Sequence, residues 1–205
     1  MIVVIDYKMG NLHSVQKALE YVGFKVKITN NYREIIYAQG VVLPGVGAFK
    51  DAIKNIKELN IDQAIYKVIK EGKPFLGICL GLQLLFSKSY EDGEHQGLGV
   101  LSGEVVKFPG SVLVPHIGWN TLEINLNLDQ TSSLFLNIPN CSFFYFVHSY
   151  FIKPKEEKII ATMTEYGLKF ASSIVKDNIV ATQFHPEKSQ ELGLRFLDNF
   201  KKEFF

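Results

Sequence analysis

Cysteine is scarce in this chain: Cys79 and Cys141 are the only two among 205 residues. Neither sits in a Cys-x-x-Cys pair, so a disulfide framework and a cysteine-based zinc site are excluded as organising features. An excess of one charge is also missing, with Lys+Arg 22 against Asp+Glu 21 and a formal net charge of +1. Nucleic-acid binders show a basic face, so no nucleic-acid partner is expected and the substrate is read as small. No apolar run approaches the ~20 residues that span a bilayer. The greasiest stretch, residues 143–152, is broken by His148 and Ser149, so no membrane association is expected. The chain enters Ile2-Val3-Val4-Ile5-Asp6 with no basic leader or cleavage site, which together with the thiol usage points to a soluble protein of the reducing cytoplasm. Repeats, linkers and low-complexity tracts are absent as well. What remains is an ordinary globular composition, 47% hydrophobic and 21% charged, long enough for one well-cored domain over residues 1–205.

Strand and helix patterns alternate through the first half. Residues 2–6 read as a buried strand. Gly10-Asn11 then caps a helix with Leu12, Val15, Leu19 and Val22 on one face and Gly23 closing it. Phe24, Val26 and Ile28 alternate with lysines as a second strand. A short polar segment through Arg33 and Glu34 leads to a third strand at 40–43, ending in Pro44-Gly45. Helices over about 48–59 and 61–71 precede a strand running into Cys79. Such alternation predicts a parallel sheet flanked by helices, with ligands gathering at the carboxyl ends of the strands. That edge is where the turns after Asp6, Pro44 and Ile78 should meet. From Gly93 the strands shorten: 105–108, 112–115, 120–124, 143–151 and 159–164. Residues 170–175 and 179–184 form a hairpin around Lys176-Asp177-Asn178. A helix over about 191–203 closes the chain. The expected fold class is therefore α/β, with a flavodoxin-like, mostly parallel central sheet and additional antiparallel strands in the C-terminal half.

The chemistry-bearing stretch is Gly77-Ile78-Cys79-Leu80-Gly81, between an apolar strand and an amphipathic helix with Leu82, Leu84, Leu85 and Phe86. Glycines on both sides permit a tight corner that holds the cysteine in a strained position, the cysteine form of a nucleophile elbow. The corner also sets the sulfur at a helix N-terminus, where such cysteines ionise at roughly 3.5 to 7.5 instead of about 8.5. Taken alone, the motif fits equally a small buried cysteine that ends a strand.

A cysteine nucleophile needs a base, and the base an orienting group. Of His13, His95, His116, His148 and His185, the last stands out because it ends a strand and is followed by Pro186-Glu187. Residues two apart in an extended segment face the same way, so Glu187 can reach the imidazole and select its tautomer. A surface His-Pro-Glu turn would look the same in sequence. His13 and His95 read as solvated, and His116 and His148 as satisfied or half-buried. No His-Glu-x-x-His or paired Cys/His spacing occurs, so neither a metal nor a cofactor is expected. An oxyanion hole would use the N–H of Leu80 and that of Val46 or Gly47, whose flanking glycines allow the peptide to turn. Pro44-Gly45-Val46-Gly47 also reads as a plain strand-to-helix turn.

With both motifs in view, the chain resembles the class I (triad-type) glutamine amidotransferases, specifically the branch of glutaminase subunits that serve imidazole glycerol phosphate synthases. Four further stretches carry the resemblance: Ile5 to Leu12, Pro44 to Phe49, Pro115-His116-Ile117-Gly118-Trp119-Asn120 and Phe146-Val147-His148-Ser149-Tyr150. The family usually has glycine where Lys8 stands. The resemblance implies hydrolysis of L-glutamine to glutamate and ammonia by Cys79, His185 and Glu187, with glutamine bound near Gly47, Leu80, Gln83, Ser149 and Tyr150. It also implies a heterodimer with a (β/α)8-barrel cyclase, whose contact takes in Asn11, Trp119, Asn120 and Lys188. Trp119 otherwise reads as core packing, Lys188 as a solvated charge, and Tyr145 is read as core. One domain filled by a glutaminase leaves no room for a bis-phosphorylated acceptor, so ammonia should be channelled to another chain, in histidine biosynthesis. The alternatives are a paralogous subunit feeding sugar amidination, a stand-alone γ-glutamyl or peptide hydrolase, and a non-catalytic scaffold.

Overall fold

Four consecutive apolar residues make up β1 (Ile2–Ile5), and all four are buried because both faces of the strand are covered. Ile2 and Val4 join the apolar cluster that contains Val15 and Leu19, while Val3 and Ile5 join the one that contains Ile53, Ile56 and Ile65. Period-two alternation thus distributes one strand between two cores. The computed structural model describes residues 1–205 apart from the Asp129 side chain. After β1 come α1 (Leu12–Tyr21), β2 (Val26–Thr29), α2 (Tyr32–Ile36), β3 (Gly40–Leu43), α3 (Phe49–Glu58), α4 (Ile61–Lys70), β4 (Phe75–Ile78) and α5 (Leu80–Leu84). The remainder is strand-rich: β5 (Phe86–Ser89), β6 (His95–Gln96), β7 (Leu101–Lys107), β8 (His116–Thr121) and β9 (Glu123–Ile124). Then follow α6 (Asp129–Leu134), β10 (Phe143–His148), β11 (Tyr150–Pro154), β12 (Ile160–Glu165), β13 (Lys169–Lys176), β14 (Ile179–Thr182) and α7 (Gln190–Phe204).

The main sheet runs β2-β1-β3-β4-β14-β13-β11-β7-β5-β6, with β12 and β9 branching from β13. Its first five strands are mutually parallel, in the flavodoxin-like order with the switch point at β1. β14 occupies the fifth place although it belongs to the C-terminal half. Its partner β13 returns antiparallel through a tight turn, Lys176 opposite Ile179, with Asp177 at φ 53°. Parallel pairing of β14 with β4 places Thr182 opposite Ile78. The residues that follow each strand therefore emerge side by side at one edge. β8 and β10 form a separate antiparallel ribbon, with Tyr145 opposite Trp119 and His148 opposite His116.

Several expected elements differ. The amphipathic helix after Cys79 stops at Leu84, and Phe86 instead starts β5, because pairing with β7 outweighs the helical spacing of the leucines. The strand expected over 112–115 is a run of turns and bends bounded by Pro109 and Pro115, which lack the N–H a ladder needs. The polar segment through Arg33 and Glu34 is α2, nucleated by Asn31, whose side chain accepts from the Arg33 and Glu34 N–H groups. The stretch 143–151 divides at Ser149 into β10 and β11, which pair with different strands. α6 and β6 were not foreseen. Among the described residues no helix is long and apolar enough to cross a membrane.

Candidate active site

Cys79 sits at the end of β4 with φ 56° and ψ −107°, a conformation that non-glycine residues rarely adopt. Its N–H donates to the Thr182 carbonyl at 2.7 Å, tying the corner to the neighbouring strand. The flanking glycines are there for clearance. A Cβ on Gly81 would lie 1.8 Å from the Leu43 carbonyl oxygen, and one on Gly77 would lie 3.0 Å from the Gly81 oxygen. Larger residues would push the elbow away from β3 and β4. The thiol faces the Val147 carbonyl at 3.9 Å and receives the Gln183 side-chain N–H at 3.6 Å.

His185 follows β14 by three residues and so reaches the same edge. Its Nδ1 lies 2.7 Å from Glu187 Oε1, and both side chains are 2% exposed. A 3-10 turn at Pro186–Lys188 brings the carboxylate back under the ring. Ser189 fixes this turn by donating from its hydroxyl to the His185 carbonyl at 2.7 Å and accepting the Tyr145 N–H at 3.0 Å. With Nδ1 held by the carboxylate, Nε2 is the free nitrogen, and it has no hydrogen-bond partner among the described residues. Burial works against the imidazolium, but the Cys79 sulfur and then Glu187 outweigh it and push His185 up to about 10.

Cys79 opens into a cleft of about 330 Å³ lined by Val46, Gly47, Leu80, Gln83, Glu91, Ser149, Tyr150 and Lys188, among others. All the residues expected to bind substrate or form the oxyanion hole are thus on its wall. The Leu80 N–H, however, donates to the Gly45 carbonyl at 3.3 Å, so this donor is taken up locally in the conformation seen. Gly45 is packed tightly, since a Cβ there would lie 2.3 Å from the Tyr7 hydroxyl. Val46 is 37% exposed and Gly47 has φ 98°, so the peptide beside the nucleophile is the least enclosed part of the loop.

The Tyr7 hydroxyl is buried with no partner among the described residues, and burial followed by the charge of Cys79 raises its phenol above the ordinary range. Lys8, at the family's glycine position, takes φ 68° and donates its N–H to Asp6 Oδ1 at 2.9 Å. The side-chain acceptor stabilises a turn that glycine would reach without strain.

Behind the cleft, His116 and His148 are buried at 3% and 6% exposure. The Asn120 amide donates to His116 Nε2 at 3.2 Å, His116 Nδ1 faces His148 Nε2 at 3.1 Å, and His148 Nδ1 donates to the Tyr150 carbonyl at 2.8 Å. Only one tautomer arrangement satisfies all three contacts, with a proton on each Nδ1. Burial holds His116 down to about 4, and burial with the nearby histidine charges holds His148 down to about 3.

Of the residues expected at a partner contact, Asn11 is exposed and caps α1 through Oδ1 to the Ser14 N–H at 3.4 Å. Trp119 is 46% exposed, which excludes ordinary core packing, and meets Tyr145 edge-on at 6.1 Å. Tyr145 is half-buried and not core, with Lys188 Nζ 5.7 Å above its ring. The second Asn120 side-chain N–H donates to the Glu165 carbonyl at 2.9 Å, so its amide faces inward. Glu91, Gln183 and Tyr7 were missed by sequence reading. Glu91 had no motif to mark it, and Gln183 stood two residues before His185 in what reads as plain strand.

Residues 3–203 match the pattern of the family described as Glutamine amidotransferase class-I. The chain belongs to the class I glutamine amidotransferases. It is 56% identical over 202 residues to the imidazole glycerol phosphate synthase subunit HisH of Aquifex aeolicus, covering 98% of this chain and 96% of that protein. The corresponding subunit HisH of Moorella thermoacetica is 51% identical, with 97% and 93% covered. Among solved structures, PurLQS from Thermotoga maritima superposes with a TM-score of 0.75 at 16% identity, covering 99% of this chain and 96% of that one. A crystal structure described as a glutamine amidotransferase gives 0.74 at 18%, covering 98% and 100%. At such identities the structural matches speak for the amidotransferase fold alone.

Proposed function

We propose that this chain is the glutaminase subunit of an imidazole glycerol phosphate synthase, hydrolysing L-glutamine and delivering the ammonia to a cyclase subunit. The observation that carries the reading is a strained cysteine at the end of β4 and a carboxylate-held histidine just past the adjacent parallel strand β14, close enough for the sulfur to raise the imidazole's proton affinity. The names of the HisH relatives support the choice of synthase over a paralogous sugar-amidinating system.

In this reading the Cys79 sulfur attacks the side-chain amide carbon of glutamine. The carbonyl oxygen takes the negative charge, and each backbone N–H that receives it contributes about 3 to 4 kcal/mol. His185 Nε2 gives its proton to the departing nitrogen, ammonia leaves, and a γ-glutamyl thioester remains. The same nitrogen then takes a proton from water, whose oxygen attacks the thioester and releases glutamate and the sulfur. Glu187 keeps Nδ1 protonated through both halves. Glu91, the one carboxylate among the described lining residues of the cleft, suits the α-ammonium group of the substrate.

The Leu80 N–H bonded to Gly45 is a resting state in this scheme. Acceptor binding to the partner would turn the peptide at Val46 and release the donor. We assign Asn11, Trp119, Asn120 and Lys188 to the contact with a (β/α)8-barrel cyclase, and the setting to the cytoplasm. The test is glutaminase activity of the chain alone, with the cyclase, and with cyclase plus acceptor ligand. The reading expects a low rate alone and a large rise in the full complex. Full activity in the isolated chain would refute the switch, and activity on peptides or polyglutamates without a partner would favour a stand-alone hydrolase.

A further inference from the structure

Gln183 is fully buried, yet its side-chain amide points at the nucleophile. Buried amides normally satisfy backbone groups, and this one does not. Gln83 Nε2 donates both to the Tyr150 carbonyl at 2.9 Å and to Gln183 Oε1 at 3.0 Å. A carbonyl oxygen only accepts, so Gln83 must present its nitrogen to Tyr150, which fixes that amide's orientation. Gln183 must then present its oxygen to Gln83, leaving its NH2 group 3.6 Å from the Cys79 sulfur. The two orientations follow from donor and acceptor counting.

We propose that Gln183 is a further catalytic residue, whose side-chain N–H donates to the Cys79 sulfur and favours its thiolate, and that Gln83 is the positioning residue for that amide. An N–H donor interacts more strongly with an anionic acceptor than with a neutral one, by a factor of about two. Losing such a charge-assisted hydrogen bond should move the thiol–thiolate balance about tenfold or more towards the thiol. The inference rests on Cys79 being the nucleophile, but it needs neither glutamine nor a partner subunit.

The experiment is alkylation of Cys79 by iodoacetamide in the full chain, followed by mass spectrometry of the Cys79 peptide over roughly pH 5.5 to 9.5, a window spanning the thiol range. Gln183→Met keeps the length of the side chain and removes the donor. The expected result is a profile displaced to higher pH, a rate about tenfold lower on its rising limb, and convergence with wild type at the alkaline end. Gln83→Leu, which removes the orienting contact, should shift the profile in the same direction by less. A Gln183→Met profile that superimposes on wild type, with an unchanged circular dichroism spectrum, overturns the proposal and leaves glutamine hydrolysis untouched. Wild-type Cys79 reacting no faster than a free thiol peptide would overturn both the proposal and the nucleophile reading. Should the variants not fold, the wild-type Gln183 side-chain NH2 resonances decide it. They should move with the same pH midpoint as the alkylation rate, and resonances indifferent to that transition overturn the proposal.

Discussion

Acidification should unfold this protein earlier than its carboxylates alone would require, because two buried histidines must stay neutral. His116 and His148 are held at about 4 and about 3, against an ordinary value of 6.5. Both bind their proton more weakly in the folded chain than in the unfolded one. Stability therefore rises with pH across this window and is lost as pH falls below 6.5. At about pH 5 each unfolded ring gains about 2 kcal/mol from protonation while each folded ring gains almost nothing. Together they remove about 4 kcal/mol between about pH 7.5 and pH 5, a large share of a typical folding free energy of roughly 5 to 15 kcal/mol. His185 has the opposite sign. Its contribution is complete below 6.5 and fades as pH climbs through about 10, and it cancels when variants are compared at matched pH. The assay is urea unfolding followed by circular dichroism at both pH values, for wild type and for the His116→Asn, His148→Asn double variant. The variant loses the stacking of His116 on Tyr166 and Phe146, so it should be less stable near neutrality. Its stability should nevertheless fall about 4 kcal/mol less than that of wild type on acidification. Equal losses in the two proteins, within about 1 kcal/mol, would refute the reasoning.

Other perturbations probe the elbow, the dyad and the exposed face. Gly81→Ala drives a Cβ to 1.8 Å from the Leu43 carbonyl; it should cost about 3 kcal/mol in chemical denaturation, with loss of glutaminase activity. Glu187→Gln leaves the ring in place but no longer holds its tautomer, so kcat should fall on the order of 10²- to 10⁴-fold at a temperature where circular dichroism shows the variant folded. Trp119→Ala should alter the isolated chain's stability by no more than about 1 kcal/mol, because the indole is 46% exposed. The same change should weaken cyclase binding by about 2 kcal/mol in titration calorimetry.

The parallel half of the fold was legible because each strand there is an unbroken apolar run between helix signals, as in Gly40–Leu43 and Phe75–Ile78. Cys79 and His185 were legible because glycine and proline mark their corners. Less could be read where long-range pairing decides the outcome. Phe86 has helical spacing with Leu82, but β7 claims it for the sheet. Trp119 is hydrophobic yet exposed, and nothing local to its sequence distinguishes those fates. Gln183 illustrates the limit most clearly. Its identity and its strand were readable, but that its amide meets Cys79 depends on β14 lying beside β4, a pairing across some hundred residues of chain. The engagement of Leu80 N–H by Gly45 was likewise invisible, since it depends on the fold of a loop from another strand.

The central claim is that Cys79 carries the γ-glutamyl group while His185 moves the protons. The most direct measurement is acid-quenching of the chain with the proposed cyclase subunit during turnover of carbon-labelled glutamine, followed by mapping of the label. Label on the Cys79 peptide, accumulating when the second step is slowed and absent from Cys79→Ala, is the expected result. Undiminished ammonia release by Cys79→Ala, or turnover that never labels Cys79, would contradict it.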